Sequence, residues 1–268
     1  VLDDFIEPAE SILTKAFSKL VAVDSRRWIK FLTDILPRFS CELAASLPDF
    51  EKRMLQMFYI TVFQEAADWR SHTAQANMQL LADSPIMMHE LNELLSFNLE
   101  RIDFIDQPVP LGFDCPLDLH CTYTRDQILI AMDYMTPKNV REGVKWLPDK
   151  QVDVFFITLN KADKDYSPTT MYNDYSINES LFHWQSQSRT SDTASTGQRY
   201  INHRQRGSRV VLFVREFKQD SIGAAPYTCL GTAAYVKHTG SRPMNITWHL
   251  DQPIPAKYLR KTNKLVVG

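Results

Sequence analysis

Val152-Asp153-Val154-Phe155-Phe156-Ile157-Thr158-Leu159 is β-branched and aromatic, the composition that suits a pleated, packed surface. It reads as a strand, and Arg209 to Phe217 reads the same way. Thr228 to Val236 and Met244 to Leu250 add two more. Between them, His238-Thr239-Gly240-Ser241-Arg242-Pro243 is a loop by composition. Short strands at close intervals, punctuated by Gly and Pro, predict a small β-barrel or a strongly curved β-sheet. Thr124-Arg125-Asp126-Gln127, upstream of these strands, fits a capping box and predicts a short helix from Ile128 to Met135.

Further upstream the hydrophobic period changes. From Glu10 to Arg101 apolar residues recur at helical spacing, as in Ile12, Leu13, Ala16, Phe17 and Leu20, then Trp28, Ile29, Leu32, Ile35 and Leu36. Pro37, Pro48 and Pro85 punctuate the run, which predicts four or five mutually packed helices. Met54, Met57, Met78, Met87 and Met88 fill a core at this spacing, or line an adaptable partner groove. Asp106-Gln107-Pro108-Val109-Pro110-Leu111-Gly112 is poor helix material and marks a joint. The fold class is therefore α+β, with a helical subdomain over residues 1–110 and a β domain over 111–268.

The chain has 268 residues, 44% hydrophobic and 23% charged, within the range of a soluble globular protein. No apolar run approaches the ~20 residues that span a bilayer, and no charged-then-apolar leader opens the sequence. A cytoplasmic location without a membrane partner is expected. Cys41, Cys115, Cys121 and Cys229 are too few and irregular for a disulfide framework, so reduced thiols are expected. Val1 in place of Met, and the apolar Leu265-Val266-Val267 before Gly268, predict a piece of a longer polypeptide. The net charge of −2 conceals an asymmetry. Residues 1–110 carry 10 Lys+Arg and 17 Asp+Glu, whereas residues 111–268 carry 20 and 15. A locally basic part of a near-neutral chain is the footprint of nucleic-acid binding, or an ordinary solvated surface.

The chemistry concentrates between Tyr172 and Arg209. Tyr172-Asn173-Asp174-Tyr175 and Leu181-Phe182-His183-Trp184-Gln185-Ser186-Gln187 supply flat rings, a carboxylate and side-chain amides. Arg189, Arg199, Arg204, Arg206 and Arg209 follow. These are the materials of a base pocket beside a track for phosphates. Ser188 to Gly207 is polar and poor in large apolar residues, so it reads as a mobile loop able to clamp a groove. If residues 182–187 are extended, Phe182, Trp184 and Ser186 share one face, and His183, Gln185 and Gln187 share the other.

Phe155 to Lys161, Tyr166-Ser167-Pro168-Thr169, Tyr172 to Tyr175, Leu181 to Gln187 and Val211 to Glu216 together carry a resemblance. They look like the C-terminal target-recognition region of bacterial type IV, modification-dependent restriction enzymes. The resemblance covers about residues 118–260, with the helical part similar to the segment that couples motor to reader. In that family the region follows a phospholipase D-type nuclease and a DEAD/DEAH-type helicase. It implies an SRA-like (PUA-type) domain that flips 5-methylcytosine or 5-hydroxymethylcytosine out of double-stranded DNA. It also implies partners in the nuclease and helicase domains of the same polypeptide, and a fragment that binds without cutting and needs no cofactor.

A flipped cytosine needs a flat sandwich, an acceptor for its amine and donors for its carbonyl. Asp174 suits the amine, and Tyr172, Tyr175, Phe182 and Trp184 are candidate walls. His183, Gln185 and Gln187 are candidate donors, and the five arginines suit the DNA backbone. Plainer roles stand beside these: Phe182 and Trp184 as core rings, Asp174 as a turn cap, His183 as a structural hydrogen-bonder. Glu216-Phe217-Lys218 has the spacing of restriction-type nucleases, with Asp174 or Asp192 as a further acid. Cys115, His120 and Cys121 are weak against closed zinc-site spacings, so no metal site is expected. A helical protein–protein adaptor is the third reading.

Overall fold

The computed structural model describes residues 6–160, 174–221 and 223–262, and the chain divides into two compact units. The first comprises residues 1–108 and 114–140, the second residues 109–113 and 141–268. The sequence places the change at residue 110, whereas contacts group Asp114 to Val140 with the helices.

The first unit holds α1 (Glu10–Val21), α2 (Arg26–Ile35), α3 (Cys41–Ser46), α4 (Asp49–Phe63), α5 (His72–Ala82), α6 (Pro85–Arg101), the short β1 (Thr122–Tyr123) and α7 (Arg125–Ala131). Among the described residues six helices thus precede residue 102, one more than the upper expectation, because Ser40 caps a separate six-residue turn of helix over Cys41–Ser46. Every residue of α4 from Arg53 to Val62 is buried, and α1, α2, α3 and α7 pack against it, while α6 packs on α1, α2 and α5. Trp28 of α2 donates its indole N–H to the Met54 carbonyl at 2.9 Å. The capping box at α7 is present with both of its bonds. Buried Gln127 then donates to Thr61 Oγ1 at 2.9 Å, tying α7 to α4.

The second unit is built on a mixed sheet. Its strands are β2 (Val144–Leu147), β3 (Val152–Asn160), β4 (Tyr175–Ser176), β5 (Leu181–Gln185), β6 (Arg209–Phe217), β9 (Tyr227–Thr239) and β10 (Asn245–Leu250). The spatial order is β2-β3-β6-β9-β10-β5-β4. β7 (Gln219–Asp220) and β8 (Gly223–Ala224) form a separate ribbon, while α8 (Ser195–Ile201) and α9 (Ala256–Thr262) complete the unit. β3 and β6 are parallel, and the other neighbours in this order are antiparallel.

The four predicted strands are all present, and β9 runs on to Thr239, into the stretch read as loop. The sheet curves but does not close, since β2 and β4 end the order without pairing to each other, so the barrel alternative falls. Two irregularities accompany the curvature. Leu230 is the extra residue opposite Leu212/Phe213, next to Gly231 at φ 85°, and Val236 is extra opposite Thr247/Trp248.

One face of the sheet carries the core, with Phe155, Leu212, Phe182, Trp184, Ile246 and Trp248 among its members. Phe155 is central to it: its ring lies 4.3 Å from Trp184, 5.5 Å from Tyr200 and 5.6 Å from Trp248. Tyr200 corrects the expectation of a mobile loop from Ser188 to Gly207. Its ring is fully buried in this core and anchors α8. Gly197 lets α8 approach Ser191, where a Cβ would come 2.0 Å from the carbonyl oxygen.

Candidate nucleic-acid interface

β5 shows the alternation expected of an extended 182–187 segment. Phe182 and Trp184 point into the core, at 0% and 5% exposure, while His183 and Gln185 are half-buried on the opposite face. The structure therefore displays the two rings as core packing. Ser186, on their side, is also buried, and its backbone N–H donates to the Met244 carbonyl at 2.9 Å.

The opposite face assembles different candidates. Tyr175 of β4 pairs across the strand with His183, and their rings stack at 4.8 Å with planes 12° apart. His183 in turn lies opposite Thr247 of β10, and Gln185 opposite Asn245, to whose Oδ1 it donates at 3.2 Å. Asp174 is buried, and its Oδ1 accepts the Gln185 backbone N–H at 2.8 Å, so this carboxylate fastens the start of β4 to the end of β5. Gln187 Oε1 accepts from the hydroxyls of Thr190 and Tyr200. Tyr172 lies outside the described residues. Tyr175, His183 and Gln185 thus share one half-exposed face with Asp174 behind it, while Phe182 and Trp184 stand apart.

The five arginines also separate. Arg199 forms a two-pronged pair with Asp153, Nε to Oδ2 at 2.7 Å and Nη2 to Oδ1 at 2.9 Å, and its guanidinium lies 4.4 Å from the Trp146 ring centre. Asp153 is fully buried: burial pushes its pKa up, and the hydrogen bonds and charge of Arg199 oppose that. Arg199 therefore serves the fold. Arg189, Arg204 and Arg206 are exposed, and Arg209 is half-buried.

Arg204 and Arg206 sit on the turn that joins α8 to β6, Arg209 opens β6, and Arg204 and Arg209 line a cleft of about 410 Å³. Pro110, His203, Gly207, Ser208, Thr232, Ala233 and Asp251 complete its lining. Arg204 Nη2 lies 2.8 Å from Asp251 Oδ1, and Thr232 Oγ1 donates to Asp251 Oδ2 at 2.7 Å. Gly112 at φ 81° runs so close to Arg209 that a Cβ there would lie 2.5 Å from Nη1.

His203 holds the turn in place. It is buried, its Nε2 accepts the Tyr235 backbone N–H at 3.1 Å, and Nδ1 faces the Ser208 carbonyl at 3.3 Å. An accepting Nε2 requires a neutral ring protonated at Nδ1. Desolvation accordingly lowers the His203 pKa below its ordinary 6.5. Sequence reasoning missed His203, Thr232 and Asp251. The run His203-Arg204-Gln205-Arg206-Gly207-Ser208-Arg209 carried a signal for the first, whereas Thr232 and Asp251 reach the cleft only through strand pairing.

Among the described residues, no three His, Cys, Asp or Glu side chains come together as a metal-binding group. No helix among them is long and apolar enough to cross a membrane. No curated protein matches the chain. A family described as a domain of unknown function, DUF3427, matches residues 117–261, which is more than half of the sequence. The match takes in the whole mixed sheet together with the cleft-bearing turn, and the chain belongs to the DUF3427 family.

Proposed function

We propose that the β-rich unit reads modified cytosine in double-stranded DNA, as the recognition domain of an ATP-dependent restriction enzyme. In this reading the nuclease and helicase belong to the same polypeptide, and this region binds without cutting. The observation that carries it is that the α8–β6 turn and the first residue of β6 present Arg204, Arg206 and Arg209 within six residues beside an open cleft. Guanidinium groups on a rigid turn suit phosphates, because each offers forked donors at fixed charge. The half-exposed Tyr175–His183 stack, flanked by Gln185, supplies a ring face and an amide of the kind that holds an extruded base. Phe182, Trp184 and Arg199 have no part in this version, since the core and Asp153 engage them.

The test is a titration of matched duplexes carrying cytosine, 5-methylcytosine or 5-hydroxymethylcytosine at fixed salt. A modified duplex should bind more tightly than the unmodified one, and His183→Ala should remove that preference. Arg206→Ala should weaken all three duplexes and reduce the salt dependence by ~0.9 in the log–log slope. Equal affinity for the three duplexes would defeat base reading. Binding that ignores salt would defeat the phosphate track.

The adaptor reading keeps a foothold in the helical unit, where Leu36, Phe39, Met78 and Met88 help line a groove of about 400 Å³. The nuclease reading at Glu216 and Lys218 gains no metal-binding cluster among the described residues.

A further inference from the structure

We infer that the cleft beside the α8–β6 turn is a phosphate seat whose place is held by the Asp251 carboxylate. This rests on the DNA-binding reading and specifies how that surface is regulated. Asp251 follows directly on the end of β10, and its two oxygens each take a different donor: Arg204 Nη2 at 2.8 Å and Thr232 Oγ1 at 2.7 Å. Its backbone N–H donates to the Thr232 carbonyl at 2.9 Å, which fixes the carboxylate's origin without using the side chain. Two oxygens spread over a guanidinium and a hydroxyl is also how the two non-bridging oxygens of a phosphodiester bind. Arg209 lines the same cleft and adds a second guanidinium, while the Ser208 hydroxyl donates to the His203 carbonyl at 3.3 Å and braces the cleft wall.

The occupant is displaceable. The Arg204 and Asp251 side chains are 63% and 38% exposed, so water and salt screen their attraction. A phosphate entering here meets two arginines where the carboxylate engages one. Asp251 thereby lowers the affinity for any phosphate backbone, and a duplex has to displace it to bind.

The experiment measures duplex affinity against salt for the full chain and for Asp251→Asn, Arg204→Ala and the double variant. Asp251→Asn should tighten binding about twofold to fivefold at low salt, the scale of one exposed ion pair, and the gain should vanish when Arg204 is also removed. Unchanged or weaker binding by a folded Asp251→Asn protein would overturn the inference. Asp251→Ser, which also lacks the carboxylate, replaces it if thermal melting shows the Asn variant unfolded. A second arm follows melting in inorganic phosphate. If neither protein binds duplex, the DNA reading fails by itself. The seat then survives only if phosphate raises the melting temperature of Asp251→Asn more than that of the parent, and an equal rise overturns it too.

Discussion

Truncating Arg199 to Ala leaves Asp153 as a carboxylate with neither water nor a counter-charge around it. Breaking a buried pair from one side costs on the order of 3–5 kcal/mol, so Arg199→Ala should lower unfolding free energy by about that amount at pH 7. A group whose folded pKa is raised destabilises increasingly as pH rises past its unfolded value. The deficit in the variant should therefore shrink as pH falls from 7 towards about 3.5, below the ordinary Asp value of ~3.9, where Asp153 is protonated in both states. Urea unfolding at the two pH values checks this, and a deficit under about 1 kcal/mol at pH 7 would put Arg199 back among ordinary surface charges. His203 gives the opposite slope. Its folded pKa lies below its unfolded value, so the unfolded chain takes up the proton first. Its contribution is full above pH 6.5 and is lost as pH falls from there through the folded pKa. Substituting His203 by Asn should flatten the parent's fall in stability between pH 7.5 and 5.5, and an identical slope in both proteins would show that the ring is not held neutral. Sequence reading could rank neither residue. Arg199 meets Asp153 across 46 positions, and the partners of His203 arrive from β9 and from the chain that leads into β6.

Local order in the sequence was readable wherever the partners are near neighbours. Thr124 and Gln127 lie three residues apart, so the cap of α7 could be read directly. The period of two in β5 predicted which side chains share a face, and tertiary packing then decided that the Phe182 face is the buried one. The cap of α6 was hidden for the converse reason. Glu7 accepts the backbone N–H groups of Ile86 at 2.9 Å and Met87 at 2.7 Å, from 79 and 80 residues away. Ser84 in exchange accepts the Ala9 N–H at 2.7 Å, ahead of α1. Two helix starts thus satisfy each other's unpaired donors, and the Glu7 charge sits at the positive end of α6. Glu7→Ala should cost about 1–2 kcal/mol, the scale of a lost cap at a buried helix start. Glu7→Gln, which keeps one acceptor and loses the charge, should cost less. Equal losses in the two variants by chemical denaturation would mean that packing of the stem, and not capping, is what Glu7 contributes.

The joint at residues 106–112 was legible as a break in composition, yet the break in packing is interleaved. Val109 to Phe113 belong with the β-rich unit, where Pro110 lines the cleft and Lys150 lies over the Phe113 ring at 4.9 Å. Asp114 to Val140 return to the helices, because α7 is apolar over Ile128, Leu129 and Ile130 and all three are fully buried. A cut at the compositional boundary therefore separates α7 from α4, on which it packs. A fragment of residues 111–268 should expose that apolar helix, bind a hydrophobic dye and associate in solution. A fragment of residues 141–268 retains the sheet, α8 and the Arg204–Asp251 pair without carrying α7, so it should be the more soluble of the two. It lacks Pro110 and Gly112, so Arg209 loses its close neighbour and duplex affinity should fall below that of the full chain. Light scattering and dye binding on the two fragments decide the matter. A monomeric, dye-silent 111–268 fragment with a cooperative melt would show that α7 finds enough cover without the helices, and that the compositional boundary is also the folding one.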